Sequence, residues 1–335
     1  LGDLATLDTK IDQTSGGSIS INAATTLEGS FTELDSFHTD RANFDNNTNI
    51  TKVTLDTGAL ASASNLATLS ANLQTNINAA LQIDLQNVTT ITGSFNDLNT
   101  IRTNTDTLGS GSDFISFDGR ALALNETISV GNANTLSGAT SGLVTATITT
   151  GAVADLNVLS DGGGQTNNFT MTINDTTVDA GDLKTLRGKT SEDITVSSLT
   201  ALTGTYAEVK TFRDELANYT TESNIVKVTL DNGAVDSASD LATLSANLQT
   251  NVNAALQIDL QNITTITGGF SDLNSINTNT GDLGSGSDFI NFDGRALTLN
   301  ETVSVGNANT LLGLTSGKVT ASVTAGNLTT LNGLN

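Results

Sequence analysis

The chain has 335 residues, with 13 Lys and Arg against 35 Asp and Glu, a net charge of −22 and no Pro, Cys or Trp. That balance leaves no basic patch able to neutralise phosphates, which excludes nucleic acid as a partner, and the absent cysteine excludes disulfides, zinc–thiolate sites and thiol catalysis. Hydrophobic residues make up 37% and aromatics 4%, so Ala, Leu, Ile and Val must build a thin core.

No run of 18 apolar residues exists, so nothing here is expected to span a bilayer. The chain starts at Leu1 rather than Met, which is expected of a processed product or an excerpt. The acidity suits weak, multisite capture of divalent cations.

Along the chain, a pattern of acidic residue or Asn, Leu, two variable positions and Leu or Ile marks helix starts. It occurs at Asp3–Leu7, Asn65–Leu69, Asp97–Ile101, Asp155–Leu159, Asp182–Leu186, Asp240–Leu244 and Asp272–Ile276. Looser versions lie at Glu33–Phe37, Asn132–Leu136, Glu208–Phe212 and Asn307–Leu311. Ser30 with Glu33 and Thr205 with Glu208 read as capping boxes, and Ser94 with Asp97 as a shorter-armed variant. Gly29, Gly93 and Gly204 precede these caps, where a chain leaving a strand is expected to need an unusual dihedral.

Short alternating runs separate the helices, at Ser18–Asn22, Lys52–Leu55, Gln82–Leu85, Phe114–Phe117, Val144–Thr149, Phe169–Ile173 and Ile194–Val196. Many carry Thr on alternate positions, as half-buried strands do. Leu66, Leu69, Leu73, Ile77 and Leu81 predict a helix over 66–81. Asp118-Gly119 and Asp293-Gly294, each between two alternating runs, predict projecting β-hairpins.

Residues 50–149 and 225–324 match without a gap and differ at about one position in five. The period of about 175 residues gives two long repeats, 1–175 and 176–335, each holding shorter units of about 29 residues. A strand, a cap and a helix repeated in series predict an α/β repeat fold. The form expected is a βα solenoid with a parallel sheet on one face and short helices on the other, the alternative a β-helix with short helical corners. A helix anchor at each terminus would leave both solenoid ends uncapped, to be covered head-to-tail by another copy or by a longer chain.

Few residues carry chemistry. His38 is the one histidine and is replaced by Arg213 in the second copy, so it is expected on an exposed helix position without a catalytic role. No carboxylate pair stands out as an acid–base couple, and no P-loop is present. Asn49, Asn87, Asn125, Asn218, Asn262 and Asn300 begin Asn-x-Ser/Thr triplets, which are either sites for surface glycans or chance in a chain rich in Asn and Thr.

The stretch Leu108–Ile115, repeated at Leu283–Ile290, resembles one turn of the calcium-binding nonapeptide repeat of exported toxins and proteases. The resemblance implies a calcium site at Gly109, Gly111 and Asp113, and again at Gly284, Gly286 and Asp288. A Gly/Ser turn entering a strand and capped by Asp is the competing reading.

Residues 142–149, Asp182–Leu186, 194–200 and 201–209 together resemble the tandem repeats of very large cyanobacterial cell-surface and exported proteins, a family that includes a swimming-motility-associated surface protein. This resemblance covers essentially the whole chain. It implies secretion to the cell surface, a scaffolding or adhesive role and no catalytic residues. The expected function is therefore a non-enzymatic extracellular filament, sheath or surface layer, with an adhesin or carbohydrate-binding module as the alternative. No resident cofactor is expected beyond the calcium just described.

Overall fold

Leu66, Leu69 and Leu73 line the buried side of the helix Ala63–Asn76 in a computed structural model that describes residues 2, 18–45, 47–160, 166–231 and 233–334. Ser62 caps this helix by accepting a hydrogen bond from the Asn65 amide, so it starts three residues before the span read from the leucine spacing. It stops at Asn76, where Asn78 takes over the local hydrogen bonding and accepts from the Ala80 amide. Ile77 and Leu81 remain buried beyond the helix end. Their spacing reports a continuous buried face rather than continuous helix. Ala238–Asn251 repeats this helix with Ser237 as its cap.

The two capping boxes form as expected. Ser30 Oγ accepts from the Glu33 amide while Glu33 Oε2 accepts from the Ser30 amide at 2.8 Å, and Thr205 with Glu208 does the same. At Ser94 only half the box forms, because the shorter Asp97 side chain reaches the Ser94 hydroxyl and not its amide. The Asp3–Leu7 anchor lies outside the described residues.

Strand pairing is parallel throughout the described residues, in several separate sheets. The fold is therefore α/β. Partner residues lie between 20 apart (Thr127 with Thr147) and 31 apart (Ile83 with Phe114) in the chain.

The chain divides into two compact units. The first holds 1–149, 158–170 and 189–191, and the second 150–157, 171–188 and 192–335. In the first, Ile19–Ser20 pairs with Phe44–Asp45, and a second sheet runs Thr26–Gly29, Lys52–Leu55, Gln82–Asp84, Phe114–Ile115. A third runs Ala59–Leu60, Thr90–Gly93, Ala121–Ile128 and Val144–Ile148, with 168–170 beside the last. In the second unit, Ile194–Thr195 lies between 171–172 and Tyr219–Thr220. Thr177–Asp179, Ala201–Gly204, Lys227–Leu230, Gln257–Asp259 and Phe289–Ile290 form the next sheet. Ala234–Val235, Thr265–Gly268, Ala296–Val303 and Val319–Val323 form the last.

The second strand of a segment, the one just ahead of the helix, is absent from the alternating runs at two places. Thr90–Gly93 and Ala201–Gly204 read there as approaches to a cap. Gly93 needs its missing side chain for space, since a Cβ there would lie 2.6 Å from Ala63 Cβ. Only Gly204 has the unusual dihedral expected before the caps, at φ +143. Between the helices Phe31–Thr39 and Ala63–Asn76 the chain lays down three strands instead of two, as it does again between Tyr206–Asp214 and Ala238–Asn251. Each third strand, Ala59–Leu60 or Ala234–Val235, starts a new sheet edge.

The predicted hairpins are corners. Phe114–Ile115 pairs with Gln82–Asp84, whereas Ala121–Ile128 pairs with Thr90–Gly93 and Val144–Ile148. The two runs flanking Asp118-Gly119 thus belong to different sheets and never pair with each other. Gly119, at φ +80, turns the chain, and Asp118 Oδ1 accepts from the Gly119 and Ser141 amides at 2.7 Å each. The same corner forms at Asp293-Gly294, with Ser316 in place of Ser141. Both flanking runs already have neighbours of their own along their sheets, so hairpin pairing would cost each of them a ladder.

One polar group in each long helix is buried at a loss. Ser70 and Ser245 are 1% exposed and their hydroxyls have no hydrogen-bond partner. Ser70→Ala and Ser245→Ala are each expected to stabilise the protein by about 1 kcal/mol, measured by urea unfolding, because an unpaired buried hydroxyl is removed at nearly constant shape.

Candidate functional site

The Gly/Ser loop between Thr103 and Phe114 is the most elaborately held surface feature of the first unit. Gly109 and Gly111 both sit at positive φ, +84 and +89, which bends the loop tightly. Its centre is filled by Gln82, a side chain only 1% exposed at the start of a buried strand. Gln82 Oε1 accepts from the Gly109 amide at 2.5 Å, and its Nε2 donates to Ser112 O at 2.8 Å, Ser112 Oγ at 3.0 Å and Thr107 O at 3.3 Å. The loop of the second unit is built alike, with Gln257 Oε1 accepting from the Gly284 amide and Nε2 donating to Ser287 Oγ and Asp282 O.

Asp113, the carboxylate implied for calcium, accepts from Gln74 Nε2 at 2.9 Å, and Asp288 accepts from Gln249 at 3.0 Å. Gly109, Gly111 and Asp113 thus share one loop, as do Gly284, Gly286 and Asp288. The carbonyls of Thr107 and Ser112 face a glutamine amide, and the carboxylate faces another. Among the described residues no group of three or more His, Asp or Glu side chains is placed to hold a metal ion. Neutral amide donors therefore already face these oxygens. Adding calcium is accordingly expected to leave the melting temperature within about 2 °C, read by scanning fluorimetry with magnesium as control. A larger, calcium-specific rise would place an ion at the loop.

Neither glutamine stands out in the sequence. The only signal is a Gln opening a buried run, in LeuGlnIleAspLeu at 81–85 and again at 256–260. At the tip, Leu108 is 59% exposed and Leu283 60% exposed.

A cavity of about 150 Å³ opens in the first unit between Phe31, Ala59, Leu60, Ala61 and Asn65. The second unit has the corresponding cavity of about 240 Å³ between Tyr206, Ala234, Val235, Asp236 and Asp240. Four lining positions differ between the copies, and two of the changes introduce carboxylates.

His38 is half-buried rather than exposed, with Nε2 3.1 Å from the Asn76 amide nitrogen of the next helix. Asn49 and Asn262 spend their amide nitrogens on Asn22 O and Asp231 Oδ1, while Asn87, Asn125 and Asn300 are exposed. Of the Gly-rich sequence at 160–165, only Ser160 lies within the described residues.

The charged groups with displaced pKa values are structural. Amide and hydroxyl donation from Ser141, and the Gly119 amide, hold Asp118 below the usual carboxylate range, and Ser316 and Gly294 do so for Asp293. Donation from Ser30 lowers Glu33, and donation from Thr205 lowers Glu208. At Asp259, burial pushes upward, but hydrogen bonds from Asn291, Lys227 and the Gln261 amide outweigh it and the net shift is down. Lys227 Nζ lies 3.0 Å from that carboxylate, and Lys52 repeats the pair with Asp84.

A carboxylate lowered in the folded state stabilises the fold above its unfolded pKa of about 4, and that stability is lost as pH falls through the folded value. Unfolding midpoints measured from neutral pH to about 2.5 are expected to fall below pH ~4. Asp118→Asn with Asp293→Asn is expected to flatten that slope. Relief of general negative repulsion is common to both proteins and cancels in the comparison.

These groups define a class of site: hydrogen-bonded loops and corners that fix backbone. Compared with known protein families and with curated proteins, the chain matches none of either. Among the described residues no helix is long and apolar enough to cross a membrane.

Proposed function

We propose that this chain is a non-enzymatic structural repeat protein of the cell exterior, whose strand–helix segments stack as a βα solenoid and whose principal partner is itself. The observation that carries this reading is a ladder of asparagines, each donating its side-chain amide to the backbone of the preceding segment. Asn49 reaches Asn22 O at 3.0 Å and Asn78 reaches Thr48 O at 2.9 Å. In the second unit, Asn224 reaches Ser197 O at 2.6 Å and Asn253 reaches Ser223 O at 2.7 Å.

Such bonds satisfy backbone carbonyls of one segment with a side chain from the next, so these segments do not meet all their hydrogen bonds alone. Buried residues are spent on joining neighbours and on corners, where an enzyme would spend them on a cleft. The exterior location rests on the resemblance to cyanobacterial surface repeats and on the acidic, cysteine-free composition. The adhesin alternative keeps the Thr-rich strands but loses the projecting hairpins, which are corners.

Electron microscopy of the native material tests the reading. Fibres, sheets or a surface coat carrying this chain support it. Isolated particles that stay monomeric at high concentration sink it.

A further inference from the structure

We infer that the cleft beside Tyr219 in the second unit binds a neutral saccharide, whose hydroxyls bond to Tyr219, Glu222, Asn247 and Asn251. The site belongs to one unit and does not require copies to assemble.

The helix Tyr206–Asp214 brings Arg213 and Asp214 to this cleft, and the helix Ala238–Asn251 brings Asn247 and Asn251. Tyr219, in the strand Tyr219–Thr220, and Glu222 join them around a volume of about 710 Å³. Small-molecule sites occupy about 300–1,000 Å³. Tyr219 is 4% exposed, and its ring is spent on packing, 5.0 Å from the Phe212 ring. Its hydroxyl has no hydrogen-bond partner among the described residues. A hydroxyl so deep costs stability unless something outside the fold completes it. Burial, reinforced by the Glu215 charge, holds its pKa above the ordinary tyrosine value, so it is a neutral donor.

The other free groups complement it. Glu222 and the Asn247 side chain make no hydrogen bond among the described residues. Asn251 Nδ2 donates to Asn247 O at 2.8 Å, which leaves Asn251 Oδ1 open. Lys210 and Arg213 both donate to Asp214. With Glu222 these four charges balance, and the charges of Glu215 and Arg187 act on Tyr219 in opposite directions. The cleft therefore offers donors and acceptors together without a surplus charge. A sugar hydroxyl donates and accepts at once and uses both. A phosphate only accepts and meets the Glu222 carboxylate, whereas an ammonium only donates and leaves Tyr219 and the Asn247 amide unused.

At the corresponding positions of the first unit the same needs are met internally. Asn47 stands in place of Glu222 and donates to Arg41 O at 3.0 Å and to Phe44 O at 3.1 Å. Phe44 stands in place of Tyr219 and has no hydroxyl. His38, in place of Arg213, lies 3.1 Å from Asn76 Nδ2. One copy closes on itself where the other leaves its groups to a ligand.

The whole chain is titrated with neutral tetrasaccharides of glucose, mannose, galactose and xylose, followed by saturation-transfer NMR and calorimetry. Tetragalacturonate and tetraglucosamine supply an anionic and a cationic comparison. At least one neutral tetrasaccharide is expected to bind, and more tightly than either charged one. Tyr219→Phe with Glu222→Asn should weaken that binding about tenfold or more, since two hydrogen-bonding groups are lost. Both replacements are the residues the first unit carries at these places, and an unchanged melting temperature verifies folding. Asn247→Ala should also weaken binding several-fold, whereas Asn72→Ala, its counterpart in the first unit, should not. Three results overturn the site: no neutral tetrasaccharide binds, a charged one binds more tightly, or binding survives the second-unit substitutions.

Discussion

Gly142→Ala is expected to destabilise the protein by about 3 kcal/mol, the most of any single-methyl addition to a glycine in the first unit. A Cβ at Gly142 would lie 2.3 Å from Arg120 O and 2.5 Å from its carbonyl carbon. Those are backbone atoms, and they cannot swing aside. Arg120 is itself held, because its guanidinium donates to Leu85 O at 3.1 Å, Gln86 O at 2.5 Å and Val88 O at 2.7 Å. Thr140 Oγ1 also donates to Arg120 O at 2.7 Å and accepts from the Gly142 amide, so relaxation at one atom breaks a bond at the next. Gly317→Ala should repeat the loss against Arg295. Gly131→Ala is the control, since its nearest heavy atom is a serine hydroxyl at 3.9 Å. Lying within the helix Val130–Ser137, it should gain about 0.5–1 kcal/mol from helix propensity. Urea unfolding of the three variants checks the order. Comparable losses at 131 and 142 would mean that the corner yields.

Which features were legible in the sequence follows from the range over which each acts. Capping boxes at Ser30 and Thr205 lie within four residues and are legible, as is the strand Lys52–Leu55. The helix start at Ala63 was missed because Ser62, its cap, is separated from the leucine pattern by Ala63, Ser64 and Asn65. The corner at Asp118-Gly119 has the local chemistry of a hairpin. What distinguishes it is that each flanking run finds its partner 20 to 31 residues away. Gly93 looked like a dihedral requirement and is a packing requirement, set by Ala63 in the preceding helix. The glutamine that closes the 104–113 loop lies more than twenty residues upstream, in a run that reads as an ordinary strand. The calcium reading arose from the loop's own residues, and Gln82 is invisible to such a motif. The cavity pair is likewise assembled from positions 31 and 59–65, close in space only because consecutive segments pack.

Removing that glutamine should have the second large effect. Gln82→Leu keeps a buried side chain of similar size and deletes four hydrogen bonds to the loop, at Gly109 N, Ser112 O, Ser112 Oγ and Thr107 O. The expected cost is about 2 kcal/mol, less than four bonds in a sealed core, because the loop can open and give its freed groups to water. Hydrogen exchange at Gly109 should quicken far more than exchange in the helix Ala63–Asn76. Gln82→Glu sharpens the test. A carboxylate still accepts from Gly109 but turns oxygen against the carbonyls of Ser112 and Thr107, and it places a charge at a site 1% exposed to water. That variant should therefore be worse than leucine at neutral pH. It should recover as the pH falls toward ~4–5 and the new carboxyl gains the proton it needs to donate. The recovery should appear well above the pH at which Asp118 and Glu33 lose their own contribution, because burial raises this carboxyl while hydrogen bonding lowers those. An equal loss for both variants at every pH would mean that Gln82 fills space. A glutamate that recovers on acidification would establish that its amide donors hold the loop, and with it the leucine, in place.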